Sequence, residues 1–378
     1  MATKKLRNLP LFDDQADDPA SDRLLHLNCQ MLVDELSNLM ESSSLSDIFA
    51  SIYKMRTNTK HYETAVTDLS DGFVQMRYSF FVDALDQIVA SQSIERAKYY
   101  MKRLVKSLTE ERTTPINDIN LNRWKEYDDI ITDSLWLIER RDSSGVHMAD
   151  YWGNFIPQIP NQMMRRFTKR GEWVLDAFAG SGTTLIEGQR LGRNTIGIEL
   201  QPAVAAAARE RIAAEPNQHG TLAELVVGDA TCLNYADLLH RHGCDTVQLV
   251  LLHPPYFDII KFSDNPRDLS NAASVEMFLA QIGQVAQQAS TVLDAGRYLV
   301  LVIGDKYVHG EWIPLGFLTM QAVQQHGFQL TSIIVKNFEE TTGKRTQQQL
   351  WRYRALVGGF YIFKHEYIFV FQKRGSVP

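Results

Sequence analysis

Cysteine is scarce: Cys29, Cys232 and Cys244 are the only three in 378 residues. They are too scattered for a disulfide framework and lack the paired spacing of a zinc site. No metal is therefore expected, and the reducing cytoplasm is the expected compartment. Long apolar runs are missing too. The most apolar stretch, Val247–Leu252, is far short of the roughly 20 residues that a membrane-spanning helix needs. Met1 to Asp18 carries charges and no apolar core of a secretory signal. There is no basic excess either, since 39 Lys+Arg against 45 Asp+Glu leave a net charge of −6. That excludes a uniformly basic nucleic-acid coat protein but not a local basic face, because only the patch against a phosphate must be positive. No segment repeats with a period of roughly 20–50 residues, which excludes a solenoid. What is present is a globular composition, 44% hydrophobic and 22% charged, over a length that suits two or three structural units.

Residues 1–20 run from basic (Lys4, Lys5, Arg7) to acidic (Asp13 to Asp18) and are expected to form a flexible tail. From Ser21 onward Leu24, Leu27, Met31, Leu32, Leu36 and Leu39 recur at three- and four-residue steps, which predicts a helix. Phe73–Val89, Ile94–Leu108 and the set Trp124, Tyr127, Ile131, Leu135, Ile138 show the same period. Residues 21–144 thus read as an all-α domain for target recognition or partner contact. After Ser143-Ser144-Gly145 short β-branched runs alternate with helical segments. The predicted strands are Trp173–Phe178, Asn194–Leu200, Glu224–Gly228, Thr246–Leu252, Arg297–Ile303, Thr331–Val335 and Tyr367–Phe371. Alternation predicts a mostly parallel sheet with helices on both faces over residues 145–378, an α/β fold. No helix is predicted between the last two strands, which are expected to form an antiparallel hairpin at the sheet edge.

The first of these strands runs through Asp176-Ala177-Phe178 into Ala179-Gly180-Ser181-Gly182-Thr183-Thr184 and an apolar helix. A glycine turn there lets a ligand approach the backbone. No lysine follows Gly182, so this is not a nucleotide P-loop, and Leu185 breaks the dinucleotide fingerprint Gly-x-Gly-x-x-Gly. Acidic groups close three successive strands: Asp176, Glu199 and Asp229. Glu199 falls where a doubly wound sheet places a group beside a ribose. Asp229 suits an adenine amino group, and Asp176 disfavours a pyrophosphate but suits a cationic amino-acid ligand.

Asp-x-Phe-x-Gly-Ser-Gly-Thr-Thr resembles the cofactor motif of the S-adenosylmethionine-dependent DNA amino-methyltransferases, which modify adenine N6 or cytosine N4. The resemblance implies a Rossmann-like methyltransferase sheet and S-adenosyl-L-methionine as cofactor. It implies that Asp176, Phe178, Gly180, Ser181, Gly182 and Thr183 hold the methionine part, Glu199 the ribose and Asp229 the adenine. The segment from Phe155 to Gly171 resembles the family's additional cofactor-contacting motif. Leu251-Leu252-His253-Pro254-Pro255-Tyr256 resembles the catalytic motif Asp/Asn/Ser-Pro-Pro-Tyr/Phe, with histidine replacing the usual first residue. The resemblance covers about Val146 to Lys373, with the cofactor motif before the catalytic one, an order of only some branches.

An exocyclic amine is a poor nucleophile because its lone pair is delocalised into the ring. Hydrogen bonds from it to the His253 side chain and the Pro254 carbonyl shift density towards nitrogen, Pro255 stiffens the turn, and Tyr256 offers a stacking surface. Only a neutral histidine accepts such a bond. Cytosine C5 chemistry is excluded, because none of the three cysteines follows a proline. The target base must be flipped out of the duplex. Phe257 to Asn271, with Lys261 and Phe262, reads as a mobile flap. Lys344, Arg345, Arg352 and Arg354, interleaved with Trp351 and Tyr353, suit phosphate contact and stacking. Arg96, Lys98, Lys102, Arg103 and Lys106 form a further cationic face, and His365 and Glu366 read as structural. The expected function is methylation of double-stranded DNA, adenine N6 ahead of cytosine N4, in restriction-modification or phage defence with a partner protein. The alternatives are an RNA amino-methyltransferase and an inactive nucleic-acid-binding module, the latter suggested by His253.

Overall fold

The computed structural model describes residues 23–63, 72–148, 153–308, 310–338 and 348–375. The expected tail, and Lys344 and Arg345, lie outside the described residues. Contacts divide the chain into two units. One holds residues up to Arg112 with Asn120–Asp128, the other Thr113–Ile119 with everything from Asp129. Residues 129–144, which the sequence reading assigns to the helical part, thus lie in the second unit.

The first unit contains β1 (Leu24–Asn28), α1 (Cys29–Met40), α2 (Leu45–Thr57), β2 (Phe73–Arg77), α3 (Tyr78–Val89) and α4 (Ile94–Thr109). Asn28, Ser44 and Ser93 cap α1, α2 and α4 by accepting an amide of the first turn. Leu32, Leu36, Ile48, Phe81 and Met101 meet in its core. The all-α expectation is corrected at two places. Leu24–Asn28 and Phe73–Arg77 are antiparallel strands, Leu24 facing Arg77 and Asn28 facing Phe73. Leu25 and Leu27 are the buried pair of β1, a period of two that the neighbouring Leu24 disguises as a helical stripe. The stretch from Trp124 to Ile138 is not a helix either. It holds a short 3₁₀ turn, Leu121–Glu126, and, within the second unit, the two-residue strand β3 (Leu135–Trp136). The acids and hydroxyls between them, Asp128-Asp129 and Thr132-Asp133-Ser134, favour turns over helix.

The second unit continues with α5 (Gln158–Phe167), β4 (Trp173–Asp176), α6 (Thr183–Leu191), β5 (Asn194–Glu199), α7 (Pro202–Ala214), β6 (Ala223–Val227), α8 (Tyr235–His240) and β7 (Val247–Leu252). It ends with α9 (Val275–Val292), β8 (Leu293–Ile303), β9 (Lys306–Val308), β10 (Glu311–Ile313), α10 (Leu315–Gln324), β11 (Phe328–Asn337), α11 (Gln348–Gly358) and β12 (His365–Lys373). Eight strands form one sheet in the order β3-β11-β12-β8-β7-β4-β5-β6. Only β12 is antiparallel to its neighbours. Alternate residues of β4 face opposite ways. Leu175 joins the core that includes Leu238 of α8 and Phe278 of α9, and Val174 joins the core that includes Ile159 and Met163 of α5. The sheet is therefore covered on both faces, a Rossmann-like α/β fold as the alternation predicts. The hairpin expectation is corrected in part: β11 and β12 do pair, but α11 lies between them in sequence and the outer strand is β3, not β12. From β4 the chain steps outward through β5 and β6 and then returns to β7 on the other side of β4. This reversal puts the ligand crevice of such a sheet at the carboxyl ends of β4 and β7.

Candidate active site and cofactor cradle

Asp176 is the last residue of β4 and is 1% exposed. Its Oδ1 accepts the Phe178 amide at 2.9 Å, while Oδ2 has no partner. Burial pushes its carboxyl up to about 6, against the pull of the Thr184 hydroxyl and the Phe178 amide. That hydroxyl lies outside hydrogen-bonding geometry, for Thr184 Oγ1 is also a buried atom without a partner. A buried carboxylate oxygen left bare is costly unless a donor arrives. The turn that follows takes left-handed φ at Gly180 (+50°) and Gly182 (+84°). A Cβ on Gly182 would lie 3.0 Å from Ile212 Cδ1 of α7, so glycine is required there by both conformation and space. Ser181 and Thr183 are buried, and Thr183 Oγ1 donates to Asn154 Oδ1 at 2.8 Å. Phe178 is half-buried.

Glu199 ends β5 and accepts the Gly180 amide at 3.1 Å and the Gln201 amide at 2.8 Å. Burial raises its carboxyl above the ordinary range despite those bonds, and Asp268 and Asp176 add to the rise. Each oxygen keeps a second lone pair for a hydroxyl. Asp229 follows β6, and its Oδ1 accepts from the Thr231 amide at 2.9 Å and hydroxyl at 2.7 Å. A bare carboxylate oxygen, a glycine turn and an acid with spare acceptor positions fit an ammonium beside a ribose.

Across the switch point, His253 follows β7 with its ring 4.8 Å from that of Phe155. His253 is half-buried. Desolvation lowers its pKa to about 4, which Glu366 opposes and Lys336 reinforces. The imidazole is therefore neutral at physiological pH, as an acceptor must be. Its Nε2 lies 3.2 Å from the Tyr256 hydroxyl, which donates to Glu366 Oε2 at 2.8 Å. Burial and the neighbouring Glu366 hold the Tyr256 phenol well above its usual range. The Tyr256 ring rests on Gly304 at the end of β8, where a Cβ would sit 3.0 Å from Cε2. Pro254 is buried and Pro255 half-buried, and neither has an amide hydrogen. Phe257, next in the chain, is the one non-glycine residue with positive φ (+54°) among the described residues. Such a backbone costs about 1–3 kcal/mol and clusters at functional sites.

Asn154, Asp268 and Lys336 carry no signal in the sequence, and Glu366 reads there as structural. Phe155 and Asn154 bring the segment before α5 to both the catalytic motif and the glycine turn. Asp268 sits near enough to Glu199 to act on it through its charge. Glu366, read as structural, is bonded to Tyr256, and Lys336 pairs with it at 3.1 Å. Only the Phe155 segment had a local signal; the others become neighbours through strand pairing or loop closure.

A family profile described as DNA methylase matches residues 35–210, which include the glycine turn and Glu199 and end before His253. Type II methyltransferase M.MjaII of Methanocaldococcus jannaschii is 39% identical over 67 residues, 18% of this chain and 13% of that protein. Type II methyltransferase M2.DpnII of Streptococcus pneumoniae is 35% identical over 100 residues, 25% of this chain and 34% of that protein. Over these spans the chain is similar to the DNA amino-methyltransferase family. It spans well under half the length of these methyltransferase relatives in what it matches. S-adenosyl-L-methionine is the methyl donor of that family. Among solved structures, TrmN from Thermus thermophilus is similar at 18% identity, covering 58% of this chain and 49% of that one with a TM-score of 0.37.

The charged residues singled out in the sequence are less uniform than their types suggest. Arg352 and Arg354 are exposed on α11, with Arg354 over the Trp351 ring at 5.3 Å. Lys261 is exposed and paired with Asp264. Phe262 is half-buried against Gly153 instead of standing free. The segment 257–271, read as a mobile flap, is a folded loop. Asp268 accepts from Ser263 and Ser270, and Asn271 Nδ2 donates to the carbonyls of Ser263 and Asn265. In the first unit the cations of α4 are turned away from its buried stripe, and Arg96 lies over Tyr99 and Tyr100. Burial is the first cause raising each of the three thiols above its ordinary range, the opposite of an activated nucleophile. Among the described residues no cluster could hold a metal ion, and no helix is long and apolar enough to cross a membrane.

Proposed function

We propose that this chain transfers a methyl group from S-adenosylmethionine to the exocyclic amino group of a base flipped out of double-stranded DNA. Adenine N6 is favoured over cytosine N4, and restriction-modification or phage defence is the setting. One observation carries the reading: an acceptor-bearing His253-Pro-Pro-Tyr256 turn and an acid-lined glycine cradle occupy neighbouring strand ends at the switch point of a methyltransferase-type sheet.

The cofactor supplies an electrophilic methyl carbon on its sulfonium. When it is bound, Asp176 Oδ2 would hold its ammonium, Glu199 its ribose hydroxyls and Asp229 its adenine amine. His253 and the Pro254 carbonyl, which accepts no hydrogen bond from the described residues, receive the two N–H groups of the target amine. This localises the nitrogen lone pair towards the methyl carbon. A methylated amino nitrogen must shed one proton, and His253 is placed to take it. Arg352, Arg354 and Lys261 contact phosphates.

The decisive assay supplies tritiated S-adenosylmethionine with unmethylated genomic DNA, RNA or no acceptor. Label on DNA, found as N6-methyladenine by mass spectrometry of the digest, is expected. Label on RNA alone overturns the DNA assignment, and N4-methylcytosine overturns the choice of base.

Cofactor affinity should depend on pH through Asp176. Its carboxyl titrates near 6 in the fold against an ordinary 3.8, so the unliganded fold binds a proton that the unfolded chain does not. This group's ionisation lowers stability as pH rises through that window, and an ammonium offsets the loss. Calorimetric titration should show binding weakening as pH falls from 7 to 5, and Asp176→Asn should bind weakly with a flat profile. An unchanged profile in the variant would remove Asp176 from the site.

A further inference from the structure

We propose that Glu366, held by Lys336, is a positioning residue that acts through the Tyr256 hydroxyl to keep the His253 proton on Nε2 and the lone pair on Nδ1. The inference rests on the amino-methyl transfer reading and deepens it, because it explains how a histidine serves where the family carries aspartate, asparagine or serine.

A chain of four groups carries the argument. Lys336 and Glu366 face each other directly in the β11–β12 ladder, and Lys336 Nζ reaches Glu366 Oε1 at 3.1 Å. The same Nζ donates to the Asn337 carbonyl at 2.8 Å, which fixes it in place. A carboxylate paired with an ammonium has only acceptor positions to offer. The Tyr256 hydroxyl, 2.8 Å from Glu366 Oε2, must therefore spend its single hydrogen on that oxygen. Towards His253 the phenol then presents lone pairs alone. The 3.2 Å contact with Nε2 is a hydrogen bond only if Nε2 carries the ring proton. A neutral imidazole has one N–H, so Nδ1 is left as the acceptor. Among the described residues His253 makes its side-chain hydrogen bond through Nε2. Without the carboxylate, the phenol hydrogen is free to turn towards Nε2. The ring proton then moves to Nδ1, which meets the target amine as a donor and repels its N–H.

The test uses the full chain with ¹⁵N-labelled histidine, and Glu366→Gln as the variant. Lys336 can only donate, so it takes the amide oxygen and turns the amide NH₂ towards the phenol. The phenol hydrogen is displaced to Nε2, and the polarity of the chain reverses. Two-bond ¹⁵N–¹H spectra should show His253 protonated on Nε2 in the parent protein and on Nδ1 in the variant. Its kcat should drop on the order of 10²-fold with S-adenosylmethionine affinity unchanged. Glu366→Asp, which keeps an acceptor-only group, should retain the Nε2 proton and recover part of the rate. If Glu366→Gln does not fold, Tyr256→Phe breaks the same link and should give a mixture of tautomers. A proton on Nδ1 in the parent protein, or the same tautomer in parent and Glu366→Gln, overturns the proposal. An Nε2 proton with no methyl transfer to any acceptor overturns the activity and leaves the positioning intact.

Discussion

Tyr256→Ala should lower methyl transfer by about 10³-fold or more and leave S-adenosylmethionine affinity as it is. The loss combines three effects. The ring that rests on Gly304 disappears, and with it the flat surface proposed for stacking the target base. His253 Nε2 loses its partner, so the tautomer is no longer set. Glu366 keeps Lys336 but faces a void on Oε2. Removing one preorganised polar group from a reacting centre typically costs about 10²–10³ in kcat, and misplacing the substrate adds to it. Cofactor affinity is spared because Asp176, Gly180 and Glu199 form their bonds without Tyr256. Single-turnover rates beside calorimetric cofactor titration separate the two. Full activity in the variant would mean that the turn after β7 is not where transfer occurs.

Gly182→Val should do the reverse and remove cofactor binding. Its φ of +84° suits glycine and strains a β-branched residue by about 1–3 kcal/mol. The added Cβ presses on Ile212, a core contact already at 3.0 Å, for roughly another 1–3 kcal/mol of overpacking. The turn relaxes by shifting the backbone between Asp176 and Thr183, which pulls the Gly180 amide away from Glu199. Binding should weaken by at least about 10²-fold, since 1.4 kcal/mol is tenfold. Thermal unfolding should move down by several degrees. A variant that binds as tightly as the parent would show that the turn does not hold the cofactor.

Seven of the ten strands described in the second unit were legible as short β-branched or apolar runs, and their alternation with helices left one class of sheet; β3, β9 and β10, two or three residues long, were not. The acids at 176, 199 and 229 were legible because a strand end is a fixed address in such a fold. The first unit was harder. Leu24–Asn28 mixes a two-residue burial period with a run of leucines that also satisfies a helical one, and its partner Phe73–Arg77 lies far along the chain. Glu366 could not be read as part of the site, because a glutamate opening a strand carries no mark of what lies beyond the sheet's end. Its contact with Tyr256 spans 110 positions and exists only once β12 is set beside β8. His253 was legible as a departure from a motif; that its environment keeps it neutral was not, since desolvation is a property of packing.

The Lys336–Glu366 pair has a further consequence. It stands where β11 and β12 part company, with Asn337 facing His365 as the last rung of the ladder before α11. The pair is thus a staple at the root of an insertion, and it is also what steadies Tyr256. Substitutions on the exposed face of α11 should therefore leave the pairing of β11 with β12 as it is, while substitutions at Lys336 or Glu366 loosen it at its end.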